Sequence, residues 1–86
     1  MPILVVEERF DPPVDVSKAN PNAENADKLS PCLPTYDVKW VASFLGSDGS
    51  RCVCVYDAPS ADAVRQAYRT AGVPFEAVWP AQHFKP

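Results

Sequence analysis

Two segments of alternating residues, 38–45 and 51–57, flank a short run at 46–49 that contains two glycines and an aspartate. Such a run is typical of a tight turn, and the flanking segments are rich in β-branched and aromatic residues. The pattern therefore predicts a β-hairpin, which commits the chain to an antiparallel sheet. Strict alternation along the first of these strands would place Trp40, Ala42 and Phe44 on one face.

A helix is predicted between the hairpin and the last strand. Ser60 suits the N-cap position, apolar residues recur at helical spacing as far as Ala71, and Gly72 is typical of a helix C-terminus. A fourth strand is predicted at 75–79, and it should stop or bend at Pro80, since proline cannot donate to a β-ladder.

The N-terminal part is less regular. Residues 3–10 begin with four apolar residues, which predicts a strand buried on both faces. The segment 11–37 contains five prolines. Asn20 and Pro21 suit the start of a short helix that ends near Leu29, and an ordered loop is the alternative. A segment of this length is either a lid or binding loop, or a plain surface connection.

The predicted order of elements is strand, helix, strand, strand, helix, strand. This is the split βαβ arrangement, so we expect an α+β, ferredoxin-like fold with a four-stranded antiparallel sheet and both helices on one face. With 86 residues the chain has room for one domain, 1–86, and one core. The uncovered face of the sheet would be an apolar patch. A second copy would cover it, as in dimeric α+β barrels, and we therefore predict a homodimer.

Charge and cysteine content narrow the functional classes. The net charge of −3, without a basic stripe, lacks the electrostatic footprint of nucleic-acid binding. The apolar run 3–6 is too short for a signal-peptide core or a membrane span.

The chain has three cysteines. Cys52 and Cys54 share a strand face but are not placed to form a disulfide with each other. Free thiols in a reducing compartment, the cytoplasm, are expected.

Several short runs of the chain resemble a known family. They include Val-Lys-Trp-Val-Ala-Ser-Phe-Leu at 38–45, Cys-Val-Tyr-Asp-Ala-Pro at 54–59 and Ala-Gly-Val-Pro-Phe at 71–75. The chain is similar, over about residues 30–84, to small bacterial domains of unknown function that include nickel-binding ferredoxin-like proteins. The resemblance implies a ferredoxin-like fold, usually dimeric, with a nickel or small-ligand site. Nickel-binding relatives often carry histidine where this chain has Ala42, so weak nickel affinity is expected.

Three residues are candidate metal ligands: Cys52, Cys54 and His83. Thiolates and imidazole suit nickel, copper and zinc. The alternative for the cysteines is that they pack as small buried hydrophobes, since no standard metal-binding spacing is present. The alternative for His83 is a solvated position near the end of the chain.

A second group of candidates would bind a small ligand: Glu7, Glu8, Trp40, Cys54 and Tyr56. The two glutamates point to opposite faces of the first strand, which neighbours the third in the expected fold. One of them should therefore converge with Cys54 and Tyr56 beside Trp40, as polar groups do in an apolar pocket. Alternatively, that glutamate pairs with Arg9 or Arg51, or bonds only the Tyr56 hydroxyl.

The sequence contains no catalytic motif. We therefore expect a small dimeric binding protein that holds a metal ion, nickel by resemblance, or a small apolar ligand at the sheet face. The alternatives are a structural or regulatory interaction protein, or a cofactor-free isomerase or monooxygenase of the dimeric α+β-barrel type, which fold analogy alone suggests.

Overall fold

The computed structural model describes all 86 residues. Its elements are β1 (Ile3–Arg9), α1 (Ala23–Leu29), a 3-10 turn (Pro34–Tyr36), β2 (Lys39–Leu45), β3 (Arg51–Asp57), α2 (Ala61–Ala71) and β4 (Ala77–Ala81). The strands form one antiparallel sheet in the order β2-β3-β1-β4. The predicted ferredoxin-like α+β fold is confirmed. Neither helix has the length and apolar character needed to cross a bilayer.

The core lies between the two helices and one face of the sheet, which we call the covered face. Its buried side chains come from three strands and both helices: Leu4, Val6, Cys52, Cys54, Tyr56, Val78, Leu29, Val64, Ala67 and Tyr68. The opposite, open face carries Val5, Val53, Val55, Phe44 and Trp79. Although it lies on the open face, the Val5 side chain is buried, with only 7% of its surface exposed, because Val55 and Trp79 flank it on the neighbouring strands. The first strand is thus buried on both faces, as predicted.

The ends of α2 follow the predicted signals. The Ser60 hydroxyl accepts a hydrogen bond from the Ala63 N–H at 3.1 Å, and Gly72 closes the helix in the left-handed conformation with φ of 72°. α1 also ends at Leu29 as predicted, but its N-cap is Asn22 rather than Asn20. The Asn22 side chain makes no capping hydrogen bond, so α1 lacks the strong local start signal that α2 has.

A β-bulge in β2 changes which of its side chains share a face. Trp40 lies opposite Tyr56, whereas Ala42 lies opposite Val55, so one residue between them has no partner. The extra residue shifts the alternation, which puts Trp40 with Tyr56 on the covered side and Ala42 with Phe44 on the open face. The prediction that Trp40, Ala42 and Phe44 share a face is therefore wrong.

β4 passes through Pro80 instead of ending there, and it begins at Ala77 rather than Phe75. β4 is an edge strand, where a residue without an N–H is tolerated. Phe75 instead packs edge-on against Tyr68 of α2, with ring centroids 5.5 Å apart. This contact fixes the approach of β4 to the helix layer and keeps the Tyr68 ring in place beneath the sheet.

Candidate metal centre

Glu8 is the carboxylate that converges with the two strand cysteines. β1 and β3 pair so that Glu8 lies directly opposite Cys52, and the two-residue period of a strand brings Cys54 to the same face. The three residues are only 3%, 4% and 5% exposed. One ligand atom from each, a carboxylate oxygen and two sulfur atoms, all lie within 4.8 Å of one another.

Hydrogen bonds converge on one oxygen of Glu8. The Cys54 thiol donates to Glu8 Oε2 at 3.1 Å, and the Tyr68 hydroxyl donates to the same atom at 3.3 Å. Ser43 Oγ donates to Cys54 Sγ at 3.1 Å, and Trp40 Nε1 donates to Ser43 Oγ at 2.8 Å. The donors therefore form a continuous chain from the rim of the sheet at Trp40 to the buried carboxyl group.

The second oxygen, Glu8 Oε1, is buried and has no hydrogen-bond partner. A buried polar atom left without a partner carries an uncompensated desolvation cost. The prediction that this glutamate pairs with Arg9 or Arg51 is wrong, because Arg9 binds Glu76 at 2.9 Å instead and Glu8 has no ion pair. The carboxyl group of Glu8, which lies within 4.8 Å of two sulfur atoms, thus keeps one oxygen that no protein group uses.

The environment favours the protonated forms of Glu8 and Cys54. Burial raises the pKa of Glu8 to about 8, and the neighbouring Cys54 adds to the rise. The hydrogen bond with Cys52, followed by burial, raises the pKa of Cys54 well above its usual range. That same hydrogen bond lowers the pKa of Cys52. A bound cation would replace the protons on the carboxyl and thiol groups.

The Tyr56 hydroxyl makes no direct hydrogen bond to Glu8 and is linked to it through Tyr68. Its hydroxyl lies 2.8 Å from the Tyr68 hydroxyl, and the two rings meet edge to face with centroids 6.0 Å apart. Burial raises the pKa of both phenols, so both stay protonated. The alternative in which Tyr56 and the glutamate bond each other directly is wrong, because Tyr68 stands between them.

A cleft of about 380 Å³ opens beside this group. One wall comes from residues 20–33, including Leu29 and Leu33, and the other comes from the covered side of the sheet, including Trp40, Cys54 and Tyr56. Part of the long segment 11–37 therefore forms one wall of a cleft. Trp40 stays 62% exposed at its rim.

Two of the candidate residues lie outside both the group and its hydrogen-bond network. Glu7 is on the open face, where its Oε2 accepts a hydrogen bond from Trp79 Nε1 at 2.8 Å. His83 lies in the exposed segment that follows β4. The structure brings together Glu8, Cys52 and Cys54, with Trp40 and Tyr56 within the same network.

Tyr68 and Ser43 are part of the network but are not among the sequence-predicted site residues. Helical periodicity assigns Tyr68 to the apolar stripe of α2, and only its hydroxyl, which needs a partner when buried, signals another role. Ser43 is assigned to the face opposite Trp40 by strict alternation. The bulge brings Ser43 and Trp40 to the same side of the sheet. The sequence carries no clear signal for this bulge.

The chain also matches known proteins. Residues 5–80 match the sequence model of the SCO4226-like family, described as nickel-responsive proteins. The chain belongs to this family. The crystal structure of SCO4226 from Streptomyces coelicolor A3(2) superposes with a TM-score of 0.78 over 96% of this chain and 99% of that chain, at 12% sequence identity. A similarity at that identity shows the fold alone. No curated protein sequence matches the chain significantly.

Proposed function

We propose that this member of the SCO4226-like family is a metal-binding protein that holds one divalent transition-metal ion between Glu8, Cys52 and Cys54. The observation that carries the proposal is a buried carboxyl group that lies within 4.8 Å of two sulfur atoms and keeps one oxygen, Glu8 Oε1, without a hydrogen-bond partner. An ion there would satisfy the oxygen that the protein leaves without a hydrogen bond. Two sulfur donors and one carboxylate form a donor set that suits borderline and soft ions rather than magnesium or calcium.

Neighbouring residues would orient these ligands. Ser43 Oγ donates to Cys54 Sγ, and the Tyr68 hydroxyl donates to Glu8 Oε2, so each of these two ligands has a supporting hydrogen bond. Such contacts fix the direction of a ligand and tune its basicity. The cysteines must be reduced to bind metal, and neither of them forms a disulfide bond. This supports a location in a reducing compartment, the cytoplasm.

Nickel is the first ion to test because the family is described as nickel-responsive. Ala42, where nickel-binding relatives are expected to carry histidine, lies opposite Val55 on the open face. A histidine at that position would point away from the cysteines. The proposed centre therefore does not depend on it, and its metal preference follows from its own donors.

The test is metal analysis and calorimetric titration of reduced, chelator-treated protein. The wild type should take up one ion per chain, whereas Cys52→Ser and Cys54→Ser should lose it and Glu8→Gln should weaken it. Cys32→Ser and Glu7→Gln are matched controls, since both residues lie outside the group, and they should bind as the wild type does. Uptake that survives in both cysteine variants, shown to be folded by circular dichroism, would rule out this centre.

A homodimer is the second part of the proposal. Phe44 is 65% and Trp79 43% exposed, and both lie on the open face with the partly buried Val53 and Val55. An apolar sheet face of this kind is typical of a protein interface. A second copy presenting the same face would cover these side chains, and the interface would be self-complementary.

A small apolar ligand is the second candidate for the cleft. It is favoured by the volume of about 380 Å³ and by the exposed indole of Trp40 at the rim. The test is a titration of chelator-treated protein with an environment-sensitive apolar dye. Binding should be lost when Leu29→Trp narrows the cleft. Unchanged dye binding by that variant would exclude the cleft as the binding site.

A further inference from the structure

The spacing of the two sulfur atoms bears on which ion the centre accepts. Cys52 Sγ and Cys54 Sγ lie 3.7 Å apart. An ion bonded to both sulfur atoms at about 2.3 Å would have a sulfur–metal–sulfur angle of about 107°, close to the tetrahedral value. A square-planar or octahedral ion needs about 90° between neighbouring ligands, which at the same bond length requires the sulfur atoms to approach to about 3.3 Å.

The backbone opposes this closer approach. Residues two apart on a strand are separated by about 6.8 Å along it, so the two cysteine side chains already lean towards each other to reach 3.7 Å. Both residues are in the central strand β3, which is paired with β1 and β2. The strand cannot shorten without breaking ladder hydrogen bonds on both sides, so the backbone resists any further approach of the two sulfur atoms.

The burial of the three ligands also favours four-coordination, as the near-tetrahedral angle does. Glu8, Cys52 and Cys54 are each at most 5% exposed, and packed side chains surround them except towards the cleft. Three protein donors and one position open to the cleft make a four-coordinate site. Six-coordinate nickel would need three additional ligands, and the packed core leaves no room for them on the other sides.

We infer that this centre, which rests on the proposed function above, selects thiophilic ions with a tetrahedral preference, of the zinc, cadmium and cobalt(II) class, over nickel. The intrinsic order of divalent ions places nickel above cobalt for most donor sets. A site that imposes tetrahedral geometry reverses that order, because nickel loses the geometry it prefers. The relative affinity for cobalt and nickel therefore reports the geometry of the site directly.

The experiment uses the reduced protein with Cys32→Ser, so that only the two strand thiols remain. Competition titrations with a chromophoric chelator should give an affinity for Co²⁺ and Zn²⁺ higher than that for Ni²⁺, by about tenfold or more. The Co²⁺ form should show the intense visible absorption of tetrahedral cobalt thiolates. Nickel bound as tightly as cobalt, or a weakly coloured six-coordinate Co²⁺ form, would overturn the inference while leaving the metal centre in place. Absence of binding by all of these ions would overturn the proposed function itself.

Discussion

Glu8 and Cys54 belong to different strands, yet the Cys54 thiol donates a hydrogen bond to Glu8 Oε2 over 3.1 Å within the core. The antiparallel register of β1 and β3 produces this contact, since Glu8 lies opposite Cys52 and one strand period away from Cys54. The core of this protein thus contains an acid that is neutral at neutral pH.

Raising the pH should destabilise the metal-free protein through Glu8. Its pKa is about 8 in the folded protein, against 4.5 as the ordinary value. The unfolded chain therefore loses the proton first, and the free energy of unfolding should fall between about pH 4.5 and 8, by at most about 1.4 kcal/mol per pH unit. Denaturant unfolding across this range measures the slope. Glu8→Gln should remove this component, whereas Glu7→Gln should retain it; parallel curves for the wild type and Glu8→Gln would contradict the assignment.

Tyr68→Phe should lower the free energy of unfolding by more than the loss of a single hydrogen bond would, because two buried groups lose a partner. The variant leaves Tyr56 without its hydroxyl partner and removes one donor from Glu8, at a cost of about 1–3 kcal/mol. The Tyr68 bond lowers the pKa of Glu8, so its loss should also move the pH transition upward. Tyr36→Phe is the control, because its bond to Thr70 lies at the surface. Equal stability losses in the two variants would argue against a buried network.

The three cysteines should all be free but should differ in reactivity. Cys32 is partly exposed, whereas Cys52 and Cys54 are buried. Titration with a thiol reagent in denaturant, without reductant, should count three thiols. The folded protein should show one fast thiol and two slow ones, and Zn²⁺ should slow those two further. A count of one thiol in denaturant would reveal a disulfide.

Ala42→His should leave the affinity of the proposed centre unchanged. The position faces Val55 on the open side of the sheet, so the new imidazole cannot reach Glu8 or the cysteines. Nickel affinity of the wild type is expected to be weak, and calorimetry of both proteins makes the comparison. A large gain in nickel affinity that survives Cys54→Ser would locate a second site on the open face. A gain that Cys54→Ser abolishes would contradict the placement of Ala42.

Phe44→Arg should separate the proposed dimer into monomers. The charge would have to be buried in the proposed interface, which is unfavourable without a partner. Light scattering over a dilution series should show a dimer for the wild type and a monomer for the variant. Phe84→Arg is the control, since Phe84 is 82% exposed and lies beyond the last strand. A wild type that is monomeric at micromolar concentration would refute the dimer.

Local signals in the sequence were sufficient for most of the fold. The hairpin run at 46–49, the cap residues Ser60 and Gly72 and the apolar start of β1 each depend on neighbouring residues only, and each matches the structure. The convergence of a glutamate with Cys54 was also predictable, because the ferredoxin-like order makes β1 and β3 neighbours.

Other features depend on contacts between distant residues, and only the tertiary structure decided them. The register of β1 against β3 selects Glu8 rather than Glu7, and the bulge after Trp40 brings Ser43 towards Cys54. Tyr68 joins the site because α2 packs on the covered face. Alternation along a strand predicts which side chains share a face, but one inserted residue reverses that assignment for every residue after it. The insertion is set by pairing with the neighbouring strand rather than by local sequence.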